Sequence, residues 1–205
     1  MRKIVFFNMP ITIDVEKIVY KSEDDSIPTT ERAVTYPIIA FLEKTLVPED
    51  DVKVVLLIKE DELGNYKKYL AGCREELDEV AQLTGAKLEI KSINTEYAEK
   101  KSIHDGLLLD IVNELEPQAH IIADITYGPK DLPIVVFAGL NFAEKFYECE
   151  IDNIIYGQVT FVDHQPTNGK ICDMASLYYL TSVVNAIPGA DPEKAKQILQ
   201  VLLSM

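Results

Sequence analysis

The chain has 205 residues, of which 47% are hydrophobic, and a formal net charge of −14 at pH 7 with an isoelectric point near 4.6. That apolar content can bury a sizeable core and excludes wholesale disorder. So acidic a surface repels long polyanions, which excludes generic DNA or RNA binding but leaves room for a small nucleotide in a local pocket.

Cys73, Cys149 and Cys172 are odd in number and widely spaced. This pattern argues against a disulfide framework or a cysteine metal site and for a reducing compartment. Only Ile4, Val5, Phe6 and Phe7 are continuously apolar after Arg2 and Lys3, too few for a signal-peptide core. No stretch approaches the roughly 20 apolar residues of a membrane span, so a cytoplasmic protein without membrane contact is expected.

In chain order, Lys3–Phe7 reads as a first strand, buried on both faces. The segment from Tyr20 to Thr30, with Glu23, Asp24, Asp25 and Pro28, reads as a polar loop. Helical spacing runs from Arg32 to Leu46, and Pro37 moves its start to about Thr35. Val52–Ile58 is a second strand, and Asp61–Thr84 a helix stopped by Gly85. Lys87–Ile90 is a short third strand, and Ser102–Leu115 a helix closed by Pro117. Ile121–Ile125 is the fourth strand and Leu132–Tyr147 the fourth helix. A long strand, Asn153–Asp163, is expected to turn at Asn168-Gly169 and return through Lys170–Asp173. Helices over Met174–Ala186 and Pro192–Leu203 close the chain.

Strands alternating with helices in this way call for a mainly parallel sheet covered on both faces, with one antiparallel strand pair at its end. The reading is a Rossmann-like three-layer α/β domain over 1–187. Residues 188–205 form a C-terminal helix, packed on that domain or leading to an effector domain.

The stretch with the most chemistry is Asp124-Ile125-Thr126-Tyr127-Gly128-Pro129-Lys130, which joins the fourth strand to the fourth helix. Strand ends at the carboxyl edge of such sheets are where ligands bind, and helix N-termini attract phosphate. Lys130 adds a cation there. The plainer reading of the same residues is a strand-to-helix turn, capped by Thr126 or Asp131. Two common nucleotide motifs are absent. The loop after the first strand, Phe7-Asn8-Met9-Pro10-Ile11-Thr12, contains no glycine, and the chain has no P-loop pattern.

The run Asp124-Ile125-Thr126-x-Gly128-x-Lys130-x-x-Pro133 resembles the signature of CARF domains, the CRISPR-associated Rossmann-fold sensors of type III CRISPR systems. Asn153-Ile154-Ile155-Tyr156-Gly157 and Asp173-Met174-Ala175-Ser176-Leu177 are similar to the closing strands and helix of the same family. One departure is the loop after the first strand, often rich in Gly or Ser in that family. The resemblance implies a homodimer whose paired loops bind a cyclic oligoadenylate, with cyclic tetra-adenylate favoured. It implies ligand contacts from Asn8, Thr12, Asp124, Thr126, Tyr127, Gly128, Pro129 and Lys130, and no cofactor or metal. It also implies slow ring cleavage by attack of a ribose 2′-hydroxyl, with Lys130 as the catalytic lysine. An alternative is a nucleotide or sugar-phosphate enzyme using the same crevice, with Asp124 as base or metal ligand.

Other candidates have ordinary readings. Arg2, Arg32 and Arg74 do not precede His104, His120 or His164 at the spacing of the ribonuclease domain many CARF proteins carry. Glu89-Ile90-Lys91 fits strand alternation rather than half of a nuclease motif. His120 reads as structural, and Asp163-His164 as a surface pair. Ser176 lies in no nucleophile-elbow context.

Overall fold

A computed structural model describes residues 1–11, 16–22, 27–163, 165–189 and 191–204. Seven strands form one sheet, in the order β2-β7-β6-β5-β1-β3-β4. They are β1 (Arg2–Asn8), β2 (Tyr20–Ser22), β3 (Asp51–Glu60), β4 (Lys87–Glu96), β5 (His120–Asp124), β6 (Glu150–Val162) and β7 (Gln165–Asp173). The helices are α1 (Pro37–Thr45), α2 (Tyr66–Thr84), α3 (Lys101–Asn113), α4 (Asp131–Tyr147), α5 (Ala175–Asn185) and α6 (Pro192–Leu203).

β1 lies between β3 and β5, parallel to both, and β4 and β6 extend the parallel array on either side. β7 runs antiparallel to β6, and β2 adds parallel to β7. The expected mainly parallel Rossmann-like sheet with an antiparallel closing pair is the observed fold. No helix among the described residues is long and apolar enough to cross a membrane.

Alternation along the central strands feeds two separate helix layers. Val5, Phe7, Val52, Val54, Leu56 and Ile58 share one core with Ile38, Phe41 and Leu42 of α1 and Leu77 and Val80 of α2. Ile4, Phe6, Val55 and Leu57, of opposite parity, are buried as well, as are Leu107 and Ile111 of α3 and Leu132, Val136 and Leu140 of α4. The chain divides into two units, Met1–Asp173 with the whole sheet and Met174–Met205 with α5 and α6. In the second unit Asp191 caps α6, accepting the Glu193 and Lys194 N–H groups at 3.0 and 3.1 Å.

Several boundaries differ from expectation for physical reasons. Tyr20–Ser22 is a strand rather than loop, because β7 supplies its hydrogen-bonding partner and Tyr20 is buried against it. α1 begins only at Pro37, which occupies its first turn, where a missing N–H costs nothing. α2 starts at Tyr66, after Asn65 and Asp61 bond side chain to side chain at 2.9 Å. β4 runs on to Glu96 because β3 pairs with it along its full length, Asp51↔Lys87 to Glu60↔Glu96. The hairpin does not turn at Asn168-Gly169. Those residues lie inside β7, opposite Thr160 and Val159, and a Cβ on Gly169 would sit 2.8 Å from the Tyr20 ring. Asp163, at φ 50°, lies between β6 and β7 instead.

Candidate functional site

The strand order makes a geometric prediction about where a ligand can enter. From β1 the chain adds β3 and β4 on one side, then crosses back to add β5 and β6 on the other. The carboxyl ends of β1 and β5 therefore flank the topological switch point, where helix connections leave in opposite directions and open a crevice. Asn8 ends β1 and Asp124 ends β5.

Asp124 is 1% exposed. Its Oδ1 accepts the Thr126 N–H at 2.8 Å, while Oδ2 completes no hydrogen bond. Burial pushes its carboxyl up to about 6, against the opposing pull of the Thr126 hydroxyl and N–H and of the Ile38 N–H at the start of α1. A carboxylate so enclosed, bonded to the Thr126 N–H, orients the turn.

Thr126 stitches the turn to the next strand, its Oγ1 accepting the Gly157 N–H at 2.8 Å. Tyr127 is buried and donates its hydroxyl to the Thr35 carbonyl at 3.4 Å, a carbonyl that also accepts Tyr20 at 3.2 Å. Tyr127 meets the Tyr36 ring edge-on at 6.0 Å, and Tyr36 meets Phe7 in the same way at 5.3 Å. Burial pushes the Tyr20 hydroxyl up to about 12 and those of Tyr36 and Tyr127 higher still, so none of them ionises near neutrality.

Gly128 has φ 85°, a left-handed conformation that suits glycine, and it is exposed. Pro129 is half-buried, and its carbonyl accepts the Leu132 N–H at 3.1 Å. Lys130 is exposed at the N-cap position of α4, whose first turn has no side-chain cap, contrary to the capping expected of Thr126 or Asp131. Asp131 instead forms an ion pair with Lys59, Nζ to Oδ2 at 2.7 Å. Thr12 lies outside the described residues, as does His164.

A cavity of about 470 Å³ adjoins the turn. Thr126 and Tyr127 form one wall, Tyr20 and Glu16 another, and Tyr156, Gly157, Gln158, Val159, Thr160, Phe161 and Pro166 of the β6–β7 ribbon complete it. Of the expected contact residues it brings together Thr126 and Tyr127. Asn8, Asp124, Gly128, Pro129 and Lys130 do not line it. Among the described residues its lining offers aromatic faces, a carboxamide, two hydroxyls from threonine and one carboxylate, with no lysine or arginine. Sequence reading missed Tyr20, Tyr156, Gln158 and Phe161, although the polar and aromatic residues after Ile155 interrupt an otherwise buried strand and mark one open face.

The Glu89-Ile90-Lys91 stretch is a surface network, with Glu89 to Arg2 and Lys91 each at 3.8 Å and Lys91 to Glu114 at 3.0 Å. His120 bonds Asp152 at 2.9 Å and lies half-buried at the far end of β5.

Fold and site together define a Rossmann-like α/β protein with a switch-point turn and an aromatic cavity beside it. No family model matches the chain, and no curated protein matches its sequence.

Proposed function

We propose that the Met1–Asp173 unit is a CARF-type sensor of cyclic oligoadenylate, cyclic tetra-adenylate foremost, acting in the cytoplasm as a homodimer. The observation that carries this reading is the turn from Asp124 to Lys130 at the switch point, next to a cavity walled by Tyr20, Tyr127, Tyr156 and Phe161. At about 470 Å³ the cavity is within the range of small-molecule sites, about 300–1,000 Å³. It suits one nucleotide rather than a whole ring, which fits a ligand shared between two subunits. Aromatic faces without cations suit a base, by stacking. Phosphate is then left to the α4 N-terminus and the exposed Lys130.

Ring cleavage needs no further group in this reading. A ribose 2′-hydroxyl oxygen bonds to the adjacent phosphorus and gives up its proton to solvent, the bond from phosphorus to the 5′-oxygen breaks, that oxygen takes a proton from solvent, and a 2′,3′-cyclic phosphate and a 5′-hydroxyl result. Lys130 stabilises the added negative charge. The alternative enzyme with Asp124 as base is disfavoured by the enclosure of that carboxylate, which is 1% exposed and does not line the cavity beside the turn.

The test mixes the protein with radiolabelled cyclic tetra- and hexa-adenylate in EDTA and follows gel shift and product together. Binding of cyclic tetra-adenylate is expected, weakened about tenfold by Phe161→Ala through lost stacking. Lys130→Ala is expected to abolish cleavage while Asp124→Asn retains it. Absence of binding to both rings by the intact protein rejects the reading.

A further inference from the structure

On the face of the sheet away from α1 and α2, the carboxyl ends of β1 and β3 hold a second group of polar residues. Lys59 is 1% exposed, and its ammonium contacts Asp131 Oδ2 at 2.7 Å. This is an ion pair without hydrogen-bond angles, since neither the Lys59 Nζ nor either Asp131 oxygen completes a hydrogen bond. The Asp131 side chain is 9% exposed. His104 Nε2 lies 3.3 Å from that same Asp131 oxygen and 3.3 Å from Glu99 Oε2. One ligand atom from each of Glu99, His104 and Asp131 falls within 4.8 Å of the others.

We propose that Glu99, His104 and Asp131 form a site for a divalent transition-metal ion, with zinc the best match. An imidazole Nε2 has one hydrogen at most and cannot point it at two carboxylate oxygens at once. A cation placed among the three satisfies all of them. Zinc bonds of about 2.0–2.1 Å at tetrahedral angles put ligand atoms about 3.4 Å apart, the spacing found on both sides of Nε2. One nitrogen with two carboxylate oxygens suits zinc or manganese better than magnesium or calcium, which prefer oxygen alone.

A second observation lies at the site itself: the Asp131 side chain is nine-tenths buried, yet neither of its oxygens completes a hydrogen bond, and a further orphaned group lies on the same side of the sheet. Asn8 is 0% exposed, and neither its amide nitrogen nor its amide oxygen has a partner. Phe7 belongs to the core shared with α1 and α2, so by alternation Asn8 faces the other way, as Lys59 does on the neighbouring strand, where Asn8 pairs with Leu57. Unsatisfied polar atoms this deeply buried are rare and costly without something to bind. Charge also favours a cation. Glu99 and Asp131 contribute −2 and Lys59 +1, leaving −1 with the imidazole neutral. The Lys59 ammonium, 2.7 Å from the same Asp131 oxygen, opposes a bound cation and lowers its affinity, so binding in the micromolar range is expected rather than a permanently held ion.

The three ligands come from the segment before α3, from α3 itself and from the start of α4, so no spacing in the sequence announces them. A bound ion would clamp those elements around the end of β3. The experiment strips the full chain with EDTA and titrates it with Co²⁺, reading the visible bands of a low-coordinate ion, and with Zn²⁺, reading the melting temperature. One equivalent of Co²⁺, displaced by Zn²⁺, and a melting temperature raised by Zn²⁺ are expected. His104→Gln and the surface variant Glu99→Gln are each expected to weaken binding at least about tenfold while melting like the parent in EDTA. Absence of the cobalt bands in the parent overturns the site. So does an undiminished titration in His104→Gln, which would assign the metal to the free cysteines or another surface group.

Discussion

A carboxylate sealed from water is comfortable only when protonated, and Asp124 is nearly sealed. Its folded-state value, about 6, lies above the ordinary 3.8, so folding favours the protonated form. The stability this group contributes is complete below the lower value and is lost as pH rises through the upper one. Asp124→Asn retains a carbonyl oxygen for the Thr126 N–H and removes the ionised form. It is expected to raise stability by about 1–2 kcal/mol at neutral pH, with the gain disappearing below about pH 4. Urea denaturation of both proteins across that range measures it, and an equal difference at every pH would remove the linkage. The importance of Asp124 was visible in the sequence as a carboxylate ending an apolar strand. Its enclosure was not, because burial at a strand end depends on packing from elements such as α1, about eighty residues earlier in the chain.

Between elements, β6 fits tightly against the start of α1 at Gly157. A Cβ on Gly157 would lie 2.1 Å from Pro37 Cγ and 2.9 Å from its Cβ, with the Thr126 methyl at 3.3 Å. A proline ring at a helix start cannot rotate away, so one of the two elements must shift. Gly157→Ala is expected to cost about 2–4 kcal/mol, and to distort the cavity that Gly157 and Thr126 line together. Thermal unfolding measures the first effect. Ligand affinity, compared with that of a more distant destabilised variant, measures the second. Most elements were legible because long apolar runs and helical spacing are local signals, and α6 was read to the residue. β2 was not, since three residues become a strand only where β7 offers them a partner. The Asn-Gly pair misled for the converse reason. Its local preference for a turn is overruled by eight register pairs between β6 and β7 and by the ring of Tyr20.

At the scale of the whole molecule, the charge of −14 opposes the arrival of any nucleotide ligand. In the proposed binding mode, attraction comes at short range from the α4 N-terminus and Lys130, while repulsion extends over about one Debye length, roughly 10 Å at 0.1 M salt. The association rate for cyclic tetra-adenylate, the ligand proposed above, should therefore rise as NaCl increases from about 0.02 to about 0.2 M, opposite to the usual behaviour of nucleic-acid binders. Stopped-flow fluorescence with a labelled ring reads this directly. A rate that falls with salt would mean local cations govern the encounter. The acidity was plain from composition. The strand order, which sets the crevice on a small part of that surface, followed from the alternation of strands and helices only as far as its class.

The two margins of the sheet constrain how copies of this protein can meet. At one margin β2 has only three residues, too few to recruit another strand. At the other, β4 is ten residues long but carries Lys87, Glu89, Lys91 and Glu96. Charged side chains along an open margin are a common device against uncontrolled stacking. Replacing Glu89 and Lys91 together by valine should produce aggregates visible by light scattering at concentrations where the parent stays clear. With one margin brief and the other electrically guarded, a pair of subunits has little chance of fusing into a continuous sheet. The pairing proposed above would then be made through other surfaces, such as the loops at the strand ends, where Asn8 and the turn after Asp124 lie.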